Sequence, residues 1–334
     1  IADLSSSGTI TLESNAAPGT IGDDPEAGGF TPDADPGALQ ISALAGTLVN
    51  IDDAPGGVWI EGIDGEINLG TIAATVGPIW LNVFEPGGFI RLTENVSSDG
   101  QNIIFRRPVR VDESGIAVST GAGAGDIEFA ATLDSESGER NGLTIEAGTG
   151  DLVFGGAVGR DGSGFGAGSG FDDPEMGDIT ITGAADVEIA LGITAASLTV
   201  DLTGTLTVAD TTGEDDTADA DVILDGAFTQ NGTGATIDIA GDIDTTADAG
   251  GTVNVAGAVT LTGNVRIDTD ADAGGGVTPN GTGAALSFGD SATIAGSGGS
   301  GGPWNLTLNA PLADVTFGAA SGAGNGRIGG SGGA

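Results

Sequence analysis

Residues 58–111 read VWIEGIDGEINLGTIAATVGPIWLNVFEPGGFIRLTENVSSDGQNIIFRRPVRV, and what recurs in them decides the fold. Apolar-polar-apolar triplets, Val58-Trp59-Ile60, Ile67-Asn68-Leu69, Ile79-Trp80-Leu81, Ile90-Arg91-Leu92 and Val109-Arg110-Val111, are separated by Gly, Asn, Asp and Pro. A period of two turns the outer residues of each triplet to one side of an extended chain and the middle residue to the other, which is a short strand. The same unit runs from Ile10-Thr11-Leu12 through Ile127-Glu128-Phe129 and Val253-Asn254-Val255 to Leu306-Thr307-Leu308, and no segment carries a helical period.

The spacing of the triplets predicts how the strands associate. Val49-Asn50-Ile51, Ile67-Asn68-Leu69, Ile90-Arg91-Leu92 and Val109-Arg110-Val111 lie 18, 23 and 19 residues apart. A second series, Leu39-Gln40-Ile41, Val58-Trp59-Ile60 and Ile79-Trp80-Leu81, lies 19 and 21 apart and interleaves with the first. A coil that returns equivalent positions after ~20 residues produces this pattern, with ~14–16 coils over the chain. Like residues then stand over like: Asn over Asn, Trp over Trp, Arg over Arg. An antiparallel sandwich also has short, regularly spaced strands, but it does not call for such ladders.

Composition agrees. Gly supplies 64 of 334 residues, aromatics 4%, Met one and Tyr none, so a broad two-layer core lacks large side chains, whereas a narrow core of Val, Ile, Leu and Ala does not need them. The charge is −40, from 48 acidic residues against 8 Arg with no Lys, which argues against nucleic acid or an anionic membrane as partner. No Cys and no His are present, which leaves oxygen ligands for any metal and removes the commonest general base. No apolar run approaches the ~18 residues of a membrane-spanning helix, so no membrane insertion is expected. Ile1 does not open a signal peptide. The chain reads as a mature protein or an excised segment.

Internal duplication extends the picture. Residues 143–159, LTIEAGTGDLVFGGAVG, match residues 306–322, LTLNAPLADVTFGAASG, at 8 of 17 positions, and Asn-Gly-Thr-Gly-Ala occurs at Asn231–Ala235 and at Asn280–Ala284. The first of these segments and residues 250–268, GGTVNVAGAVTLTGNVRID, resemble the repeats of filamentous-haemagglutinin-like exoproteins and autotransporter-type adhesins of bacterial surfaces. The resemblance covers mainly residues 126–322 and rests on repeat character; the absence of Lys and the acidity depart from those families. It implies a right-handed parallel β-helix, export to the cell surface, and roles in attachment, biofilm matrix or self-association.

The expectation is an all-β chain, one elongated right-handed parallel β-helix (β-solenoid) over residues 1–334. Coils with Trp and Arg ladders occupy 1–125, adhesin-like repeats 126–322, and a Gly-rich tail 323–334. Gly- and Asp-rich loops at Asp23–Gly37, Gly159–Gly177, Asp210–Asp221, Asp268–Asn280 and Ala295–Pro303 are expected to protrude from one edge of the stack.

Three constellations are candidates for chemistry. Asp268, Asp270 and Asp272 alternate in DTDADAGG, where an extended backbone would set three carboxylates on one side to take Ca²⁺. The spacing fits neither an EF-hand nor the nonapeptide of calcium β-rolls, and a solvated acidic loop is the plainer reading. Trp59 and Trp80, each in the middle of its triplet, are expected to face outward from adjacent coils as a ligand platform for sugars or as a lateral contact, unless a loop covers them. Arg91 and Arg110, with Glu94, Asp112 and Glu113 nearby, read first as a surface ion-pair network and second as the charged face of a β-helix polysaccharide lyase or hydrolase. Four sequons stand at Asn95, Asn231, Asn280 and Asn305.

The function expected is structural or adhesive and not enzymatic: a secreted, extracellular or cell-surface solenoid. Its partners are further copies of itself and surface glycans, it needs no organic cofactor, and Ca²⁺ is the ion its carboxylates suit. A carbohydrate-binding module is the alternative. Neither end shows an obvious polar cap, so the chain is expected either to continue in a longer protein or to join copies end to end.

Overall fold

A computed structural model describes residues 48–54, 57–62, 65–74, 77–159, 176–210, 221–232, 234–245, 251–269, 283–289, 292–296, 304–310 and 313–318, and the backbone of 4–6, 9–13, 39–43 and 328–329. The chain divides into two compact units, 1–156 and 157–334. Among the described residues every named pairing between strands is parallel and there is no helix.

In the first unit each coil has three faces. Face A carries Leu4–Ser6, Leu39–Ala43, Val58–Gly62, Ile79–Val83, Ile103–Phe105, Ile127–Phe129 and Leu152–Phe154, hydrogen-bonded in that order. Face B carries Phe89–Leu92, Val109–Val111 and Leu133–Ser135, face C carries Val96–Ser98, Ile116–Ser119 and Leu143–Glu146, and Thr9–Glu13 and Leu48–Asp53 run along B into C. The long strand Glu66–Ala74 spans both, pairing Ile67 with Ile90 on face B and Ile72 with Val96 on face C. On face A, Val58, Ile79, Ile103, Ile127 and Leu152 stand opposite one another, 21, 24, 24 and 25 residues apart. The coil is therefore longer than the ~20 residues expected from spacing. The third face accounts for the difference: triplets such as Val96–Ser98, with one polar outer member, do not stand out from their surroundings.

The second unit repeats the plan. Face A holds Val187–Ile189, Thr205–Val208, Thr236–Ile239, Ala258–Leu261, Ile294–Gly296 and Ile328–Gly329. Met176–Gly183 and Ile193–Asp201 each run across faces B and C. Val222–Leu224, Ile243–Asp244, Val265–Asp268 and Leu306–Asn309 follow on B, and Phe228–Asn231, Val253–Val255, Leu286–Phe288 and Val315–Phe317 on C. Val187 and Leu206 pair 19 residues apart, but Leu206 and Ile237 31 and Val259 and Ile294 35, so the Asp- and Gly-rich insertions sit between strands that still stack. Most residues of the five expected loops lie outside the described ones. The connections that contain them join A to B (159–177, 210–221, 295–303), B to C (268–280) and C to A (23–37), not one common edge.

The alternation predicted from sequence sets the core. Triplets show outer residues buried and the middle one half-exposed, as in Ile103–Phe105, Val109–Val111 and Ile127–Phe129. Phe105, Phe129 and Phe154 stack inside face A, with centroids 4.8 and 5.6 Å apart and planes within 4° and 12°, because parallel register puts each ring over the last. Phe288 and Phe317 stack likewise at 5.1 Å in the second unit.

Close stacking also explains some glycines. Gly148 has φ +62, and a Cβ there would lie 2.3 Å from the Gly121 carbonyl oxygen of the previous coil.

Two register expectations are corrected. Val49 pairs Leu69, not Ile67, and Ile51 pairs Ile72 after a register shift. Asn50 therefore does not stack on Asn68 but lies over Gly70, where a Cβ would meet its Oδ1 at 1.8 Å. The bulge separates the two amides, and Asn68 Oδ1 is buried without a hydrogen bond among the described residues. Leu39 pairs Ile60, which sets Gln40 opposite Glu61 and not opposite Trp59. The change of repeat character read at 125/126 falls between coils paired in register, Ile103 with Ile127. The duplicated segments 143–159 and 306–322 occupy faces C then A in the first unit but B then C in the second, so strands of this pattern serve any face.

Candidate functional site

Arg91 and Arg110 stand in register on face B, as the spacing predicts. Around Arg91 three carboxylates converge from three other coils: Glu66 at 2.8 Å from Nε, and Asp112 and Glu136 each at 2.8 Å from Nη1. Glu66 opens the preceding strand of the face, Asp112 follows the next one, and Glu136 follows the one after that. One guanidinium thus ties four successive coils together.

Burial works against the Arg91 charge, but the hydrogen bond and charge of Glu66, the charge of Glu136 and the bond to Asp112 outweigh it and hold the guanidinium above its ordinary value. Arg110 lies over the Phe89 ring at 4.0 Å. Of the neighbours proposed from sequence, Asp112 is in the network. Glu94 and Glu113 are exposed at a corner outside it, and Glu66 and Glu136, a coil or more away in sequence, were not foreseen. Elsewhere in the first unit Arg106 approaches Glu128 at 3.4 Å, and Arg107 Nε donates to the Val83 carbonyl at 2.7 Å.

Trp59 and Trp80 are also in register. The outward platform expected of them is corrected, because the residues retain only 6% and 3% of their exposure. The column continues through Ile104 to Glu128, so the indoles belong to an outer ladder and are its covered members. Nε1 of Trp80 is buried with no hydrogen-bond partner among the described residues.

Asp268 is corrected too. It is the buried last residue of strand Val265–Asp268, not part of a projecting loop. Both its oxygens accept from Asn309 Nδ2, at 3.0 and 3.1 Å, and Oδ2 lies 3.0 Å from Arg266 Nη2. Asp270 and Asp272 lie outside the described residues, among which no group of three or more acidic residues is arranged to hold a metal ion.

A recurrent arrangement was missed at sequence level. The residue just before a strand is often Asn or Asp, and its side-chain oxygen accepts the backbone N–H at the same position one coil on. Asn102 serves Asp126 at 2.9 Å, Asp126 serves Asp151 at 2.9 Å, Asp186 serves Thr205 at 2.6 Å, and Asn264 serves Asn305 at 3.0 Å. Asn95 serves Ala117 at 2.8 Å, Asp221 serves Asp242 at 3.3 Å, and Asp242 serves Arg266. The signal was the Asn or Asp that precedes so many apolar triplets, a residue type that equally suits a plain turn.

Burial raises the Asp242 carboxyl above its ordinary value, and Asp221 and Asp210 raise it further against the opposing bond and charge of Arg266.

No protein-family model, curated protein or solved structure matches this chain.

Proposed function

We propose that this chain is an extracellular structural or adhesive protein, a right-handed parallel β-helix of a cell surface or matrix that associates with further copies of itself, with Ca²⁺ bridging carboxylates of neighbouring molecules. The observation that carries the reading is what the described polar side chains do. Arg91, Arg106, Arg266 and the corner Asn and Asp residues all bond from one coil to another, Arg266 through Asp244. A surface organised to hold a stack together suits a load-bearing or spacing role. The likeness of residues 143–159 and 250–268 to exoprotein repeats supports the same reading and is the source of the right hand and of export.

No catalytic role is assigned. A lyase or hydrolase centred on Arg91 would need a carboxylate able to take or give a proton, and Arg91 engages Glu66, Asp112 and Glu136 together. Glycans are proposed as partners on outer surfaces other than the buried Trp59 and Trp80.

Cell fractionation and sedimentation velocity test the proposal. The expected result is protein reached by protease on intact cells and a sedimentation coefficient that rises with millimolar Ca²⁺ and falls on chelation. Cytoplasmic protein that stays monomeric in both conditions contradicts it.

A further inference from the structure

Asn95, Asn231 and Asn305, the sequon asparagines of the described residues, are all exposed, as are Asn102 and Asn254 outside any sequon. Of the three, Asn95 has the best defined surroundings. It precedes strand Val96–Ser98, so Val96 points inward and Ser97 is half-exposed. Its Oδ1 accepts the Ala117 N–H at 2.8 Å, and no hydrogen bond among the described residues holds its Nδ2.

Beside it lies an open hollow of about 430 Å³ whose lining includes Glu94, Glu113, Ser114 and Gly115. Neither Glu94 nor Glu113 makes a hydrogen bond or ion pair among the described residues, and the Ser114 hydroxyl donates to Asn141 Oδ1 at 2.9 Å, which leaves its oxygen able to accept. These are acceptors in a shallow, polar, solvent-open site, which suits the hydroxyl groups of a sugar.

We propose that Asn95 is an N-glycosylation site and that this hollow seats the first sugar. The co-reactant is a saccharide activated as a glycosyl diphosphate ester and handled by a separate transferase. Asn95 Nδ2 bonds to the sugar C1 as the C1–O bond to the diphosphate breaks; the diphosphate leaves with the bonding pair, and Nδ2 gives up one proton. The product keeps Oδ1 as an amide oxygen, so the bond from Ala117 survives and the coil is not disturbed. Asp, which makes the same bond at other corners, offers the acceptor without the nitrogen.

The proposal rests on export, since Asn-x-Ser/Thr acceptors are surface features of secreted proteins, and one experiment separates the two. Protein is recovered from its own cells after fractionation, and the tryptic peptide 92–106 is weighed in wild type, Ser97→Ala and Asn95→Asp. A saccharide mass on the wild-type peptide, lost in both variants while their melting temperatures stay near wild type, is expected. An unmodified peptide from surface-exposed protein overturns the glycan proposal alone. Protein confined to the cytoplasm overturns it together with the export reading.

Discussion

At the residue scale, a carboxylate at a coil corner has two effects of opposite sign. It accepts a backbone N–H from the next coil, and it adds charge to a chain that already carries −40. Asp242 shows both, bonding the Arg266 N–H while burial and the neighbouring Asp221 and Asp210 raise its pKa. A carboxyl whose folded pKa lies above its unfolded value binds protons more readily when folded. Stability then falls as pH rises from the ordinary Asp value through the raised one, and the penalty is complete above the raised value. Asp242→Asn, which keeps the oxygen and drops the charge, is expected to raise the melting temperature at pH 7 and flatten its pH dependence above pH ~4, as thermal melts across pH would show.

The buried Phe stack gives a contrasting case at the same scale. Phe129 has a ring on each side, so Phe129→Ala should cost about 3–5 kcal/mol in a urea titration, and Phe129→Leu distinctly less.

Among elements, the coil is held by contacts that skip along the chain. Arg91 reaches Glu66, Asp112 and Glu136, each on a different coil, with side chains about a quarter exposed. Arg91→Ala should cost about 1–3 kcal/mol because three carboxylates lose their cation together, and Arg91→Lys should recover only part, since one ammonium does not reproduce the fork. The loss should shrink in high salt, read by the same titration. Gly148→Ala meets the Gly121 carbonyl at 2.3 Å with φ +62 and should cost about 1–3 kcal/mol.

The elements themselves were legible. Period-two triplets marked most strands, and the stacking of Trp59 on Trp80 and of Arg91 on Arg110 was readable from spacing alone. What spacing cannot carry is an extra residue in one coil: the bulge beside Asn50 moved the register while leaving every triplet intact. Nor can alternation say what covers an outer residue, so the indoles looked like a platform when they are buried. Charge partners such as Glu66 and Glu136 were hidden because proximity along the sequence is a poor guide where neighbours are a coil apart.

For the molecule as a whole, the two units are built on one three-faced plan, and the second tolerates intervals from 19 to 35 residues between paired face A strands. Insertions cost little when the stack on either side is preserved, so the acidic segments can vary while the ladders persist. A surface of this charge repels its own copies unless cations intervene, which makes association a function of ionic conditions. The measurement that tests this most directly is cryo electron microscopy of the purified chain in millimolar Ca²⁺ and after chelation. The account predicts ordered assemblies with a ~4.8 Å spacing between stacked strands, which disperse when Ca²⁺ is removed. Single particles of unchanged size in both conditions, or strands that run antiparallel, would contradict it.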